Sequence, residues 1–565
     1  MGRAPKHLKD TICTTGDSTL DRIQAMKKTA SLAKTTSLVS VITLASRIFG
    51  MLRDTVVASY FGAGYISDAF YLAFTIPNLL RRLVAEGTLS PAFVPVFTDK
   101  LNESDNEAKK AIAATTSFSL LLTTSLTFLG IWFAPELTDL FAPGFRQNPD
   151  QFALAVILTQ IMMPYIITVS LLAIAGGAQN TLGYFGLSAA SQVIMNFVMI
   201  IGVPFSTKFT SEPIYGVAWS VPISGLISLI PNLFLLKRLG FPMSLGNPFN
   251  SPAVKKICML MIPAILAASV YQLMVLVNRM LASMLPNGSI TWYYYADRLV
   301  QFPLGVFTVA LSTAILPKLS KLSSINDDIE FNRQLSNGLS WISYVTVPAT
   351  AGLCMLSKPI DEAIYRYGQF GANDSLQTSN SLIAFSIGLW AISAHSLVVR
   401  AYFARKNTLL PSIVSICALS MNSLLAICFM GAPSIFQEST IGKLIIAIQQ
   451  HAGLLSLGHV GLALAGSTGA FISFISLSFC LRYIRVHPKW LSFTKDTVQC
   501  IIASSVMSVF LVWVASLNLP AILTLLIAIP LGALIYQGSS YLIGNQQAKE
   551  SSKIILQRFP FTAKK

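Results

Sequence analysis

The stretch "PNLLRRLVAEGTLSPAFVP", from Pro77 to Pro95, places two adjacent arginines and a glutamate in a sequence that is otherwise apolar enough to lie in lipid. Inserting an arginine at the centre of a transmembrane helix costs about 2.5 to 3.5 kcal/mol. Glu86 follows Arg82 by one helical turn, a spacing that allows an ion pair. We interpret Arg81 and Arg82 as anion-binding residues, and Glu86 as an ion-pair or gating residue.

A second cluster of charges lies in "SRIFGMLRD". Arg47 is about 16 Å along a helix that starts near residue 36, which puts it near the centre of a bilayer. Arg47 and Asp54 are seven residues apart and therefore share a helix face. We expect these two side chains to point inward together, and Arg53 to point elsewhere.

A third cluster, in "YYYADRLVQFP", contributes Asp297 and Arg298 about 12 Å from the start of another helix. Arg279 and Arg400 lie close to helix ends, where a long side chain extends to the interface. We therefore expect Arg279 and Arg400 to be exposed at the membrane surface. Arginines facing a shared interior would enclose a hydrated cationic cavity, whose planar guanidinium groups favour phosphate or pyrophosphate over a halide.

The composition indicates the setting of these charges. Of 565 residues, 53% are hydrophobic and 11% charged, against about 25% charged in soluble domains. Continuous apolar runs of about 20 residues are long enough to cross a bilayer as helices. We predict an all-α polytopic membrane protein with fourteen spans, at residues 36–60, 66–98, 113–134, 150–177, 185–206, 214–236, 257–283, 290–317, 335–356, 380–403, 410–431, 459–481, 497–516 and 520–544.

The distribution of Lys and Arg predicts the orientation. With both termini cytoplasmic, 28 of the 40 basic residues fall in inner segments and 5 in outer loops, as the positive-inside rule requires. The net charge of +16 then faces anionic lipid headgroups, and no nucleic-acid partner is needed. The seven cysteines show no paired spacing, so neither a disulfide nor a metal site is expected.

An internal repeat predicts the architecture. "LSPAFVP" at residues 89–95 recurs as "LSTAILP" at 311–317, a displacement of 222 residues, and each copy closes an even-numbered span. A displacement of six spans preserves the orientation in the membrane, so the halves would be parallel repeats. This pattern predicts two six-helix lobes and an added C-terminal helix pair.

Four blocks of the sequence resemble the MurJ (MviN) family of lipid II flippases. The longest is "SRIFGMLRDTVVASYFGAGYISDAFYLAFTIPNLLRRLVAEGTLSPAFVPVF"; the others are "WYYYADRLVQFPLGVFTVALSTAILPKLS", "YRYGQF" and "RAYFARKNTLLP". The resemblance implies the multidrug/oligosaccharidyl-lipid/polysaccharide exporter (MOP) fold, with two lobes in a V around a central cationic cavity. It also implies the cargo, undecaprenyl-pyrophosphoryl-MurNAc-pentapeptide-GlcNAc, moved from the inner to the outer leaflet of the bacterial cytoplasmic membrane by alternating access.

The resemblance also implies a division of the chain and a set of functional residues. The expected segments are a basic cytoplasmic tail (1–35), an N-lobe (36–237), a C-lobe (254–484), a helix pair forming a groove for the lipid tail (496–545) and a C-terminal tail (546–565). The family's functional positions match Arg47, Arg53, Asp68, Arg81 and Arg298 in their motifs. Asp68, near the outer mouth, would pair with an arginine in one conformation and release it in another.

No enzymatic activity or cofactor is expected, and four alternatives to lipid II flipping remain open. The protein could export another lipid-linked oligosaccharide or anion, or it could be a non-transporting scaffold that binds cell-wall synthesis and division proteins. A drug exporter is disfavoured by the central arginines. A membrane glycosyltransferase is disfavoured because it would need large outer loops with acidic residues.

Overall fold

The structure is a computed structural model, and it describes residues 19–209, 212–432, 443, 446–447, 449–451 and 456–558. Side chains are described within these ranges except at 19–38, 86, 209, 266–268, 270–271 and 554–558. The described backbone contains helices and no strand. The α-helices are α1 Thr19–Phe61, α2 Tyr65–Leu80, α3 Ser90–Glu103, α4 Asp105–Trp132, α5 Ala134–Phe141, α6 Pro149–Met162, α7 Tyr165–Thr181, α8 Gly186–Phe209, α9 Pro213–Arg238, α10 Pro252–Ser283, α11 Ser289–Pro303, α12 Val309–Ser324, α13 Asp328–Met355, α14 Ser357–Ile364, α15 Ala372–Ala404, α16 Leu409–Met430, α17 Gly458–Cys480, α18 Trp490–Ser516, α19 Ala521–Leu542 and α20 Gln546–Arg558.

Polar caps start several of these helices where the chain emerges from a turn. The Ser104 hydroxyl accepts a hydrogen bond from the Glu107 amide, and the Asn148 side chain accepts one from the Gln151 amide. Such caps satisfy amide groups that have no partner within the helix. The helix ends are therefore determined locally, by residues visible in the sequence.

All fourteen predicted spans lie in helices, but fewer meet a length and hydropathy test for crossing a membrane. Ten of the described helices meet it, or eleven if α13 and α14, which meet at a 73° bend, count as one broken span. Among the described residues, three of the predicted spans do not meet it: helix α1, the helical segment from α2 to α3, and α10. The first two carry the charges of "SRIFGMLRD" and "NLLRRLVAE". Helix α1 begins at Thr19, well before the predicted start of the first span at residue 36.

The two copies of the repeat share an unusual feature of the backbone. Residues Arg81–Leu89 form a π-helical stretch that leads into α3, and Leu304–Thr308 form one that leads into α12. The repeated sequence begins at the last residue of the first π-helical stretch and three residues after the end of the second. Prolines near each stretch remove a backbone donor and clash with the preceding turn, which bends or widens a helix. This shared break supports the prediction of a structural repeat.

The helices pack mainly within two groups. In the first group α8 packs on α1 and α9, and α6 packs on α2. In the second group α17 packs on α15 and α16, α11 packs on α15, and α13 packs on α15 and α18. Helix α10 contacts both groups, through α3 and α4 on one side and α16 on the other.

The largest apolar cluster crosses between these groups where α1 ends and α2 begins. It includes Val57 and Phe70 from the first group and Tyr295, Tyr365 and Leu462 from the second. We call this end of the bundle the Asp68 end, after the aspartate in the first turn of α2. The two groups are thus held together there by a continuous buried core.

Candidate functional site

An ion pair buried in α1 lies at the centre of the site. The Arg53 Nε and Nη2 atoms donate to Asp54 Oδ1 over 3.0 and 2.6 Å. Arg53 Nη1 donates to Asn196 Oδ1 on α8, and Nη2 also donates to the Tyr294 hydroxyl on α11, each over 3.1 Å. Arg53 and Asp54 are 2% and 1% exposed. Arg53 was expected to point elsewhere than Arg47 and Asp54; its guanidinium packs against Asn196 of α8, but its long side chain also curls back to the adjacent carboxylate.

Asp54 also pairs with an arginine from the second group of helices. Arg298 Nε on α11 lies 3.2 Å from Asp54 Oδ2, so the carboxylate is shared by two guanidinium groups. The Arg298 side chain is 37% exposed, in contrast to Arg53. Arg298 is therefore held by an ion pair with Asp54, while part of its side chain remains accessible to solvent.

A layer of tyrosines lies beside these charges. The Tyr71 ring stacks on the Tyr294 ring at a centroid distance of 4.2 Å, and the Tyr71 hydroxyl donates to the Tyr295 hydroxyl over 2.8 Å. Tyr295 in turn stacks on Tyr365 at 4.4 Å. Aromatic pairs of this kind add about 0.5 to 1.5 kcal/mol each beyond burial, so this layer stabilises the contact between α2 and α11.

Arg47 lies on the other side of the charge cluster. Its Nη1 atom donates to the Gln301 carbonyl oxygen on α11 over 3.1 Å. A Cβ atom on Gly305 would lie 2.0 Å from Arg47 Nη1, so the guanidinium packs directly on the backbone of the second π-helical stretch. Only a glycine allows this approach.

Arg47, Asp54 and Arg298 line one cavity of about 280 Å³ between the two groups of helices. The remaining lining residues are Thr43, Ser46, Gly50, Met51, Gln192, Met195, Asn196, Gln301, Phe302 and Tyr365. The prediction that Arg47 and Asp54 point inward together is thus confirmed. A second cavity of about 170 Å³ shares Gln192 and Met195 with the first and has many hydroxyl and amide groups in its lining.

The arginines of the first π-helical stretch lie outside the lining of this cavity. The Arg81 side chain is 8% exposed and its Nε atom donates to Asn78 Oδ1 on the same helix. Arg82 is exposed. The predicted pairing of Arg82 with Glu86 cannot be compared, since the Glu86 side chain lies outside the described residues.

Asp297 of α11 lies near several arginines. Its carboxylate accepts a hydrogen bond from Gln301 Nε2. The cations that act on it electrostatically are Arg279, Arg298 and Arg82, in decreasing order. Arg82 therefore acts on the charge cluster through Asp297.

Asp68 closes one end of the site. Its Oδ2 atom accepts a hydrogen bond of 2.7 Å from the Gly288 amide, and Oδ1 accepts bonds of 2.9 and 2.6 Å from the Thr291 amide and hydroxyl. These donors belong to the N-terminus of α11, where a carboxylate is favoured by the unpaired amides and the helix dipole. Within the part of the chain that the structure describes, Asp68 thus forms no ion pair in this conformation, but it ties α2 to α11.

Sequence reasoning misplaced or missed several residues of the site. Arg279 is 6% exposed, in contrast to the predicted position at the membrane surface. Asn196, Tyr294 and Gly305 were not predicted, although they contact Arg53 or Arg47. Asn196 could have been recognised from the sequence, because a polar residue in an otherwise apolar span indicates a functional position.

Comparison with known proteins identifies the family. A family model described as lipid II flippase MurJ matches residues 57–531.

The chain belongs to the MurJ family of lipid II flippases.

Curated members of this family match over most of their length. The chain is 32% identical over 486 residues to the lipid II flippase MurJ of Burkholderia cenocepacia, covering 84% of this chain and 89% of that protein. It is 33% identical over 495 residues to the probable lipid II flippase MurJ of Vibrio cholerae, covering 85% and 89%. As a member of the MurJ family, the chain is a multi-pass membrane protein.

Solved structures show the same fold. A lipid II flippase MurJ in an inward closed conformation superposes with a TM-score of 0.73 at 28% identity, covering 89% of this chain and 98% of that one. An inward-facing MATE family transporter of the MOP superfamily superposes with a TM-score of 0.64 at 11% identity, covering 79% and 98%. The all-helical chain therefore shares its fold with MurJ and with a transporter of the MOP superfamily, while the count of fourteen spans and the arrangement in two lobes stay predictions.

Proposed function

We propose that the protein moves lipid II across the cytoplasmic membrane by alternating access, with the cavity between α1, α8 and α11 as the site of the pyrophosphate. One observation carries this proposal. Arg47 and Arg298, which are 251 residues apart in the sequence, line the same cavity from different groups of helices. Guanidinium groups bind phosphate oxygens in a bidentate manner, so a pyrophosphate between them would be held by both groups at once.

The arginines of the cluster have different roles in this proposal. Arg53 is buried and its donors are used by Asp54, Asn196 and Tyr294, so we assign it to positioning. Arg47 and Arg298 make the direct contacts to the headgroup. We place Arg81 and Arg82 on the path along which the headgroup enters, beside Asp297.

The polar cavities suit the rest of the headgroup. Sugars and a peptide need hydrogen-bonding partners, since polar groups buried without them are costly. Ser188, Ser191 and Asn180 line the second cavity, which adjoins the first at Gln192. We propose that this side of the chamber receives the uncharged part of the headgroup.

Closure at the Asp68 end fits one state of an alternating cycle. Three contacts join the two groups of helices there: Asp68 with Gly288 and Thr291, Tyr71 with Tyr295, and the Ser59 carbonyl with the Gln369 amide over 2.8 Å. We propose that this end faces outward, that both termini are cytoplasmic, and that rocking of two six-helix lobes opens it.

The polyprenyl tail would remain in the bilayer throughout. Helices α18 and α19 pack on each other, and α18 packs on α13. Val509 and Trp513 of α18 are 74% and 58% exposed, which suits contact with lipid chains. We propose that the tail runs along this pair while the headgroup crosses inside.

A leaflet-resolved assay for lipid II in cells depleted of the wild-type protein tests the proposal. Each lost charge-assisted contact to phosphate is worth about 1.5 to 3 kcal/mol. Arg47→Ala and Arg298→Ala are therefore expected to cause lipid II to accumulate in the inner leaflet at normal protein levels. Arg333→Ala, which removes an exposed arginine paired with Glu330, is the matched control and should transport normally.

The same assay separates the alternatives. A scaffold would support growth with either cavity variant, so normal growth of both variants would contradict the flippase. An exporter of another lipid-linked oligosaccharide would leave delivery of lipid II to the outer leaflet unchanged on depletion.

A further inference from the structure

Arg279 of α10 is a buried cation whose hydrogen-bonding capacity is largely unused. The residue is 6% exposed and lies four residues before the end of α10. Within the described part of the chain, its Nε and Nη1 atoms have no acceptor. Its Cζ atom lies 5.0 Å from the centre of the Tyr294 ring, so a cation–π contact replaces part of the lost hydration.

Acidic groups lie near Arg279, but their hydrogen bonds go elsewhere. The ionisable groups that act on its guanidinium include Tyr294, Asp297 and Asp68. Asp68 accepts its three bonds from Gly288 and Thr291, and Asp297 accepts from Gln301. The closed arrangement therefore keeps a desolvated guanidinium beside carboxylates that it does not bind.

This arrangement raises the free energy of the closed state relative to a state in which the Arg279 guanidinium contacts water or an anion. A buried charge that is neither paired nor hydrogen-bonded destabilises the conformation that buries it. Arg279 belongs to α10 and Asp68 to α2, and α10 contacts both α2 and α11. Because the Arg279 guanidinium packs on Tyr294 of α11 and interacts electrostatically with Asp68 of α2, a separation of α2 from α11 would open the space beside its free N–H groups.

We propose that Arg279 is an anion-binding residue of the conformation that is open at the Asp68 end, and that it receives a phosphate group of the cargo there. The inference rests on the proposed function, since it places a second cationic contact on the route between the Arg47 and Arg298 cavity and the outer surface. A ligand that binds only the open conformation shifts the equilibrium toward it. Arg279 thus couples arrival of the pyrophosphate to opening of the gate.

Hydrogen exchange at the Gly288 and Thr291 amides measures this opening, because both amides are bonded to Asp68 when the end is closed. The experiment uses the full chain and adds inorganic pyrophosphate in a chloride-free buffer. At ten times the dissociation constant for the open state, pyrophosphate should raise the open population about tenfold. We expect faster exchange in the wild type and no acceleration in Arg279→Met.

The unliganded variants give a second readout. Arg279→Met removes the unpaired charge from the closed state, so its gate amides should exchange more slowly than those of the wild type. Arg279→Lys keeps a cation and should keep part of the pyrophosphate response. Equal responses of wild type and Arg279→Met to pyrophosphate, or faster exchange in Arg279→Met without ligand, would overturn the proposal.

Arg400→Met is the matched control. Arg400 is half-buried on α15, also has an Nε atom without an acceptor in the described residues, and lies 6.0 Å from the Phe403 ring. It is about 40 Å along α15 from Ala372, at the end of that helix away from Asp68. Exchange at the gate amides and its response to pyrophosphate should be unchanged in this variant.

The same exchange measurement with two different lipids identifies the source of the phosphate group. In phosphatidylcholine nanodiscs, undecaprenyl pyrophosphate should accelerate exchange at the gate, whereas the same amount of phosphatidylglycerol should not. Equal effects of the two lipids would overturn the assignment to the cargo. If the pyrophosphate response depends on Arg279 but the wild type does not move lipid II, the proposed function fails and the anion site stands.

Discussion

Asp54 and Arg298 are 244 residues apart in the sequence and form an ion pair of 3.2 Å between α1 and α11. The same carboxylate binds Arg53, so one buried acid connects two arginines of the charge cluster. The pair crosses from one group of helices to the other at the wall of the cavity. Any movement of α11 relative to α1 must break or rearrange it.

Asp54→Asn is expected to destabilise the protein strongly. Removing one partner of a buried ion pair leaves the other charge unpaired and typically costs about 3 to 5 kcal/mol. Thermal unfolding in detergent should show a clear decrease in the melting temperature. Asp99→Asn is the control, since it breaks an exposed pair with Lys256 that is worth at most about 1 kcal/mol. Equal stabilities of the two variants would contradict the structural role of Asp54.

Gly305→Ala is expected to reduce transport while the protein still folds. The added Cβ would lie 2.0 Å from Arg47 Nη1, so the guanidinium must leave its place on the cavity wall. Binding of undecaprenyl pyrophosphate should weaken about as much as in Arg47→Ala. Gly466→Ala, at a helical glycine with no atom within 4 Å of the added Cβ, is the control and should be neutral or stabilising by about 0.5 to 1 kcal/mol. Full activity of Gly305→Ala would show that the position of Arg47 is not critical.

Asp68→Asn is expected to loosen the closed end. The variant replaces a charged acceptor of three hydrogen bonds by a neutral amide, whose NH₂ group faces donors. Exchange of the Gly288 and Thr291 amides should accelerate about tenfold for each 1.4 kcal/mol that is lost. Thr75→Val, which removes a hydroxyl bonded to the Tyr71 carbonyl within the same helix, should leave this exchange unchanged. Slow exchange in Asp68→Asn would mean that the tyrosine layer and the bond between Ser59 and Gln369 keep the end closed without Asp68.

Stability should also depend on pH through Asp361, which lies on α14 outside the predicted spans. Burial raises the pKa of its carboxyl to about 8, and the negative charges of Glu362 and Asp374 add to this effect. The unfolded chain releases the same proton near pH 3.9, so the folded state binds more protons between these two values. The contribution of Asp361 to the free energy of unfolding should therefore be highest below about pH 4 and should fall as the pH rises toward 8.

Asp361→Asn tests this dependence, because an amide does not titrate. Melting temperatures recorded between pH 5 and 8 should decrease less in the variant than in the wild type. Glu330→Gln, which alters a half-buried carboxylate paired with the exposed Arg333, should retain the slope of the wild type. A slope that Asp361→Asn leaves unchanged would assign the dependence to other groups.

Helical periodicity predicted the site well where two residues share one helix. Arg47 and Asp54 are seven positions apart, and both side chains line the cavity. The same argument did not predict the ion pair of Arg53, because a flexible side chain reaches a carboxylate that the helix face alone would not offer. It also failed for Arg279, since closeness to a helix end indicates an interface only if no other helix covers that end.

The sequence by itself determined the membrane class, the positions of the helices and the type of ligand. These features follow from local properties: runs of apolar residues, helix caps, prolines, and permanent charges in otherwise apolar segments. The tertiary structure decided which charges meet. Asp54 pairs with Arg298, Gly305 contacts Arg47, and Arg279 is buried against Tyr294 of α11. These contacts depend on how distant helices cross, and helix crossing is set by the packing of many side chains at once.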